Sequence, residues 1–322
     1  MANLHFFKNK RAVTFTIVAI LLSFLFISLY ELNNSQSMLV LNDPGPRIFG
    51  IDNFISDFES DFGNVIYIIG FRSLLGMEQY VISNGTYIDN LNQSFSSLFM
   101  NGTIDGKNST IMLDSYFENW FDVVKKQAEE KNINIEINNI SVFPYQDNET
   151  GPWAVGVFAK INYSLYDERG FASWNRTIED NKTISILGFE DPLYVINSYG
   201  RMTNYINISP YLGHFVSGYN VTNLSLNLEK GYYIASSSAP DYLDRLSGNL
   251  NASPEGIESL VDVALLSLQG IPVNTQKSDV DYIYFSNNNP VSYNVTGMPY
   301  WFRLDNLSNH LDIYQVENLI IK

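Results

Sequence analysis

Hydrophobic and polar positions along the chain form three successive patterns, and the first is an unbroken apolar segment. No charged residue occurs from Ala12 to Tyr30. As a helix, this segment would be roughly 28 Å long at about 1.5 Å per residue, close to the hydrocarbon thickness of a bilayer. The pattern therefore predicts a single transmembrane helix at residues 13–31.

Charges on either side of the apolar segment predict its orientation. Lys8, Lys10 and Arg11 precede it. The acidic residue Glu31 follows it. Because positive charges are retained on the cytoplasmic side of a membrane, residues 1–12 are expected to form a cytoplasmic leader. The rest of the chain would then be the extracellular part of a single-pass protein of the cell membrane.

The second pattern has a helical period. A segment rich in proline and glycine comes before it and predicts a linker at residues 32–50, since proline cannot continue a helix. From Ile51 to Ser83 apolar residues recur every three or four positions, which predicts an amphipathic helix packed on the core. A stem that pairs helices between subunits is the alternative. A short helix near Tyr87–Phe99 and a second amphipathic helix at Ile111–Lys131 follow.

The third pattern has a period of two, which is typical of strands. Apolar and polar residues alternate over Ile133–Val142, with a shift of register at Asn138, and over Trp153–Leu165. A return strand is expected at Trp174–Ile186. Since each strand has one polar and one apolar face, the pattern predicts an antiparallel sheet covered on one side by the helices. Residues 51–188 are therefore expected to form an α+β ectodomain.

Residues 189–322 contain only short segments and predict a mixed, mainly β part, either as a second domain or as part of the first. The segments with strand character are Leu224–Leu228, Tyr232–Ala235, Tyr282–Phe285, Val291–Val295 and Trp301–Leu304. The segments with helical character are Asp241–Leu246 and Gly256–Leu268.

Composition limits the partners of this chain. Charged residues make up 16%, the net charge is −15 and the pI is near 4.5. This argues against nucleic acid as a partner, because binding it requires clustered lysine and arginine. Cysteine is absent and 45% of the residues are apolar, so an ordinary core must provide stability. No cofactor is expected, although carboxylate and amide oxygens permit Ca²⁺ binding.

An excess of N-x-Ser/Thr sequons predicts asparagine-linked glycosylation. The chain has 37 asparagines and 44 serines plus threonines among 322 residues, from which chance predicts about five sequons. Sixteen are present, and all follow the apolar segment, on the side where extracellular glycosylation would act. An asparagine-rich composition that generates sequons by chance is the alternative. The asparagines are Asn33, Asn84, Asn92, Asn101, Asn108, Asn139, Asn148, Asn162, Asn175, Asn181, Asn207, Asn220, Asn223, Asn251, Asn294 and Asn306.

Residues at the start of the apolar segment resemble a known processing signal. Lys10, Arg11, Ala12 and Val13 are similar to the class III signal of archaeal type IV pilin-like proteins, in which two charged residues and a small residue precede an apolar helix. The resemblance implies cleavage between Ala12 and Val13 by a prepilin-type peptidase. It also implies that the helix stays as an anchor and packs against other pilin-like subunits or copies of itself. Helices followed by strands likewise resemble the helix-on-sheet head of that family.

Two other interpretations of the N-terminus stay open. The apolar segment could remain as an uncleaved signal anchor, or it could belong to a secretory signal cleaved near Ser35–Ser37. The chain also departs from the commoner signals at Val13, where many archaeal members have glutamine, and at Ile17, where bacterial pilins have glutamate.

Catalytic chemistry has little support in the sequence. The motifs of serine hydrolases, zinc proteases, phosphate-binding loops and dinucleotide folds are all missing. Pairs of nearby carboxylates could cleave a glycoside. In so acidic a chain, however, such carboxylates are expected to lie at the solvated surface. These pairs are Asp57 with Asp61, Glu190 with Asp191, and Asp279 with Asp281. No catalytic or metal-binding residue is assigned.

The best candidate for ligand binding is the run from Met298 to Tyr314. It combines aromatic faces with hydrogen-bonding side chains, as a sugar or peptide site requires. The candidate residues are Tyr300, Trp301, Arg303, His310, Asp312 and Tyr314. A closing β-hairpin whose aromatic residues pack in the core is the alternative.

These features together predict a membrane-anchored, glycosylated structural protein of the cell surface. It would be a pilin-like filament or envelope component that acts through helix packing and ectodomain association or adhesion. An anchored module that binds envelope carbohydrate or peptide is the alternative, and an anchored hydrolase is the third possibility.

Overall fold

The first described element is a long helix. The computed structural model describes residues 44–321. The predicted leader at 1–12, the predicted transmembrane helix at 13–31 and the sequon at Asn33 lie outside the described residues.

The described residues form an α+β arrangement of helices and strands. The helices are α1 (Pro44–Asn84), α2 (Leu91–Asn101), α3 (Phe117–Glu130), α4 (Pro192–Asn197), α5 (Thr222–Lys230), α6 (Tyr242–Ser247), α7 (Val263–Leu268), α8 (Asp281–Tyr284) and α9 (His310–Ile313), with a 3₁₀ turn at Leu307–Asn309. The strands are β1 (Thr103–Ile104), β2 (Lys107–Asn108), β3 (Ile133–Tyr145), β4 (Ala154–Asp167), β5 (Ser173–Ser185), β6 (Tyr233–Ala235), β7 (Ile257–Ser259), β8 (Ser292–Val295), β9 (Arg303–Asp305) and β10 (Ile320–Ile321).

Helix α1 is the longest element and begins earlier than its periodicity predicts. It has 41 residues and is therefore about 61 Å long. Residues 44–50, which the sequence predicts as linker, form its first turns. Pro44 and Pro46 fit there because the first turn of a helix has no internal partners for its N–H groups, so proline costs nothing.

Helix α1 passes the composition test for a membrane span, yet it packs against the rest of the protein. Among residues 44–321 it is the one helix long and apolar enough to cross a bilayer. Of its most apolar stretch, 56% is buried inside the protein. Its apolar face, which includes Ile51, Phe62 and Leu74, is fully buried. Its length and composition are compatible with membrane anchoring, and its contacts are those of a core helix.

The sheet beneath α1 is antiparallel, with strand order β3–β4–β5. Strand β4 lies in the centre, and its residues Val155, Val157 and Ile161 are fully buried on the face toward the helices. The register shifts between Ile137 and Asn139, as the sequence predicts. The prediction of helices covering one face of an antiparallel sheet is confirmed.

A glycine brings α1 close to the sheet. A Cβ atom at Gly70 would lie 3.1 Å from Val157 Cγ2 and 3.2 Å from Ile184 Cδ1. These contacts are tighter than most Cβ contacts in proteins, so a side chain at this point of the helix would have to displace Val157 or Ile184 by a few tenths of an ångström. Gly70 thus lies where α1 packs directly on β4 and β5.

The hydrophobic core continues across residue 188. The buried cluster that contains the apolar face of α1 also contains Phe189, Tyr233, Tyr242 and Ile257. A second buried cluster lies farther along the chain, around Phe302 and neighbouring residues. Side chains on both sides of the junction therefore share one core.

Several short elements after residue 188 differ from their predictions. Leu224–Leu228 belongs to helix α5, because Leu224 and Leu228 are four residues apart and bury the same face. Gly256–Leu268 is divided between β7 and α7, since Ile257 pairs with Ala235 of β6. Short apolar runs fit either period, so neighbouring segments decide their structure.

The prediction of a mainly β C-terminal part is wrong. Tyr282–Phe285, predicted as a strand, lies in and beyond helix α8. The predicted closing hairpin contains one short strand, β9, followed by the 3₁₀ turn and α9. Between residues 189 and 321 the strands are only two to four residues long, and helical turns separate them.

Candidate functional site

The predicted C-terminal ligand site does not form one surface. Tyr300 is 88% exposed, and Asp312 is also exposed. His310 and Tyr314, by contrast, are fully buried. Trp301 is half-buried. The structure therefore places two of these side chains in solvent and two in the core, and does not bring them together.

Arg303 is held within the small sheet that contains β8 and β9. Its Nε donates to Ser292 Oγ at 3.0 Å, and its Nη1 donates to Asn294 Oδ1 at 2.7 Å. Its Nη2 donates to the carbonyl of Ser292 at 2.7 Å. Each guanidinium nitrogen already has a hydrogen-bond partner within the protein. The guanidinium group of Arg303 therefore links β9 to β8.

A buried ion-pair network centres on Arg245. Its Nη1 donates to Asp191 Oδ2 at 2.6 Å and to Asp281 Oδ2 at 3.0 Å, and all three side chains are fully buried. Tyr233 donates its hydroxyl to Asp191 at 2.8 Å. Burial opposes the charge on the guanidinium, but the two carboxylates outweigh it and raise the pKa of Arg245. The network joins α4, α6 and α8.

A second buried network centres on His310. Its Nδ1 lies 3.0 Å from Asp305 Oδ1, and its Nε2 lies 3.2 Å from Tyr282 Oη and 3.4 Å from Glu258 Oε2. Tyr314 donates its hydroxyl to Glu258 at 3.1 Å. Burial lowers the pKa of His310, but the carboxylates of Asp305 and Glu258 raise it further, to about 9. The imidazole is therefore a cation at neutral pH and balances part of the surrounding negative charge.

The sequence predicts that all three carboxylate pairs lie at the solvated surface. This prediction is wrong for two of the three pairs. Asp191, Asp279 and Asp281 are fully buried. Burial raises the pKa of Asp279 well above its ordinary value. Asp57 and Asp61 of α1 are exposed, as expected. Asp281 lies between Val280 and Tyr282 in the sequence, and this local hydrophobicity is a signal of burial, whereas Asp279 follows the polar run Gln276–Ser278 and has no such signal.

Arg245, Asp281 and His310 have no exposed surface, and the two networks around them belong to the packed interior. They hold together segments that each form only one or two turns of regular structure. Sequence reasoning missed Arg245 and Glu258 altogether, because their partners are distant in the chain.

Sequon asparagines lie at the protein surface. Of the fifteen within residues 44–321, none is buried; Asn162, Asn223 and Asn294 are half-buried and the other twelve are exposed. The folded chain therefore presents every one of these described asparagines to solvent at least in part.

Four sequons share the outer face of the large sheet, opposite α1. Asn139 of β3 and Asn162 of β4 are direct cross-strand partners. Asn175 and Asn181 lie on β5, opposite Ser164 and Phe158 of β4. Polar side chains predominate on this face, although the aromatic residues Phe143, Phe158 and Tyr166 also lie on it.

Hydrogen bonds already occupy some of the amide nitrogens to which a glycan would be attached. Asn294 Nδ2 donates to the carbonyls of Tyr300 at 2.7 Å and Phe302 at 3.3 Å. Asn223 Nδ2 donates to the carbonyl of His214 at 2.7 Å. In contrast, Asn101 accepts through its oxygen from Thr103, at 2.6 Å. These asparagines therefore differ in how readily their nitrogens could carry sugar.

Nothing in the described residues provides a ready-made metal centre. Among residues 44–321, no group of three or more histidine, aspartate or glutamate side chains is arranged to hold a metal ion. Calcium binding stays a prediction from composition.

Comparison with known proteins identifies neither a family nor a function for this chain. No protein-family model matches it, and no curated protein or solved structure matches it significantly.

Proposed function

We propose that this chain is a membrane-anchored, glycosylated structural protein of the cell surface with a pilin-like organisation. Residues 13–31 would anchor it in the cell membrane, with the leader at 1–12 in the cytoplasm and residues 44–321 outside. Helix packing through the anchor would join it to similar subunits or to copies of itself, as a filament or envelope component.

The arrangement of α1 and the large sheet carries this proposal. The helix covers one face of the sheet, and four sequons lie on the opposite face. Glycans at those positions would point away from the helical layer that follows the anchor in sequence.

Surface chemistry supports an extracellular, glycosylated head. Charged residues make up 16% of the chain, fewer than the roughly 25% usual in soluble domains. Glycans on exposed asparagines would supply the missing hydration. The partly exposed position of all fifteen described sequons is compatible with their modification.

The first test is mass spectrometry of the mature protein from its native host. The expected result is a chain that starts at Val13 and carries glycan on exposed sequons. Substitution of Arg11→Ala should block cleavage, whereas Lys8→Ala, outside the signal, should not. An intact Met1 would favour the uncleaved anchor, and a start after Ser37 would favour a secreted protein.

The second test concerns location and assembly. Membrane fractionation and protease treatment of intact cells should find the chain in the membrane fraction with its head accessible from outside. Electron microscopy of the cell surface should show filaments or an envelope layer that disappears when the gene is deleted. A cytosolic protein without carbohydrate would overturn the proposal.

A further inference from the structure

A polar cavity lies where α1 ends and α2 begins. It has a volume of about 540 Å³, within the range usual for ligand sites. The end of α1, the following loop, the first turns of α2 and the β1–β2 turn line it. The side chains that matter for binding are Tyr80, Tyr87, Asp89, Gln93 and Asp105.

Contacts with distant segments fix the walls of this cavity. Tyr87 accepts a hydrogen bond from Asn197 Nδ2 at 3.2 Å, and its ring packs so closely on Gly248 that a Cβ there would lie 2.6 Å away. The backbone N–H of Ile88 donates to the carbonyl of Leu246 at 3.0 Å. The C-terminal part of the chain thus holds the loop in place.

Side chains within the cavity hold one another as well. The hydroxyl of Tyr80 donates to the carboxylate of Asp105. Asn90 caps α2 by accepting from the N–H of Gln93 at 3.1 Å, and its Nδ2 donates to Gln93 Oε1 at 3.3 Å. Polar groups at the cavity are therefore ordered before any ligand arrives, which lowers the entropic cost of binding.

The lining disfavours anionic ligands and hydrocarbon ligands. No lysine or arginine is among the lining residues, while Asp89 and Asp105 are both acidic, so phosphorylated, sulfated and carboxylated ligands would be repelled. Hydroxyl, amide and carboxylate groups outnumber apolar ones, which disfavours a hydrocarbon ligand, because its binding would desolvate them without compensation.

We propose that this cavity binds a neutral or amino sugar. Tyrosine rings can contact the apolar face of a pyranose, and Tyr80 and Tyr87 both line the cavity, while the hydroxyl groups of a sugar need acceptors. Asp89 and Asp105 accept from those hydroxyls or from an ammonium group, and Gln93 offers both a donor and an acceptor. This site is separate from the C-terminal run and does not depend on membrane anchoring or assembly.

Binding is tested with the full-length protein in detergent, produced in a host without N-glycosylation so that Asn84 and Asn92 carry no sugar near the cavity. The probe is a printed array of neutral, amino, sulfated and carboxylated glycans, with hits quantified by calorimetry. The expected result is binding of neutral or amino glycans, weakened at least tenfold by Tyr80→Ala and by Asp89→Asn.

Matched controls come from the exposed residues of the C-terminal run. Tyr300→Ala and Asp312→Asn remove the same groups elsewhere and should leave affinity unchanged, while circular dichroism confirms that every variant is folded. The proposal is overturned if no glycan binds, if only anionic glycans bind, or if binding survives both cavity substitutions.

Discussion

The contribution of an arginine to stability depends on how far its side chain is buried. Arg245 is fully buried between two carboxylates, so replacing it with methionine leaves Asp191 and Asp281 without a counter-charge. The expected cost of Arg245→Met is about 3–5 kcal/mol, measured by urea unfolding of the full-length protein. Arg176 is partly exposed and lies 3.3 Å from Glu59, so Arg176→Met should cost less than about 1 kcal/mol. Equal losses in the two variants would show that the buried network is not a centre of stability.

The His310 network makes stability depend on pH. Its pKa is raised from 6.5 to about 9 in the folded protein by Asp305 and Glu258, against the effect of burial. Because the folded state binds the proton more tightly, this stabilisation is complete below about pH 6.5 and is lost as the pH rises through about 9. Of the neighbouring tyrosines, Tyr282 is hydrogen-bonded to the imidazole and Tyr314 to the carboxylate of Glu258.

The measurement is the melting temperature of the full-length protein between pH 6 and 10. We expect the wild type to lose stability across this range more steeply than His310→Gln, which cannot carry the charge. Parallel curves for the two proteins would contradict the assigned role of the imidazole.

Glycan occupancy should differ among sequons according to the contacts of the asparagine. Asn294 Nδ2 is bound to two carbonyls, and Asn294 Oδ1 accepts from Arg303. A glycan there would displace contacts that hold β8 to β9, so Asn294 should stay unmodified, whereas the exposed Asn84 and Asn148 should be occupied. Quantitative glycopeptide mass spectrometry measures this, and full occupancy at Asn294 would show that modification precedes folding of this segment.

At the scale of the element, α1 needs a small residue where it meets the sheet. The variant Gly70→Leu must push against Val157 and Ile184, and should destabilise the protein by about 1–3 kcal/mol. Gly50 lies in the same helix, and a Cβ atom at this position would have no neighbouring atom within 4 Å. Gly50→Leu should therefore be neutral or stabilise the protein by up to about 1 kcal/mol. Urea unfolding of both variants measures the difference; a similar change in stability for the two would show that the contact of Gly70 with the sheet does not set the effect.

Long elements follow their sequence periodicity, while short ones follow it only in part: the predictions for Tyr232–Ala235 and Asp241–Leu246 are confirmed, and the one for Leu224–Leu228 is wrong. The alternation over Trp153–Leu165 predicts β4 because thirteen residues repeat one pattern, and no helix can bury the same set. Leu224–Leu228 has too few residues to distinguish the periods. There, Phe215 and the second core cluster supply the surface against which Leu224 and Leu228 pack as a helix.

At the scale of the whole molecule, a core shared across residue 188 makes truncation costly. A chain ending at Gly188 would lose Phe189, Tyr242 and Ile257 from the cluster around α1. We expect such a fragment to aggregate or to unfold without cooperativity, as judged by size-exclusion chromatography and thermal circular dichroism. A soluble fragment with a sharp transition would instead identify residues 44–188 as an independent domain.

The sequence by itself determined the features that depend on local, repeated information. The apolar segment from Ala12 to Tyr30, the helical period of α1, the alternation in the large sheet and the bulge near Asn138 are all visible in consecutive residues. The excess of sequons is likewise a property of the chain alone, and so is the overall negative charge.

Only the tertiary structure decided which polar groups became internal. Asp191 and Arg245 are 54 residues apart, and neither carries a local sign of its partner. The same holds for His310 and Glu258, which are 52 residues apart in the sequence and are both fully buried. The physical reason is that burial of a charge is tolerated only where an opposite charge or hydrogen bond meets it in space, and sequence periodicity does not encode that meeting.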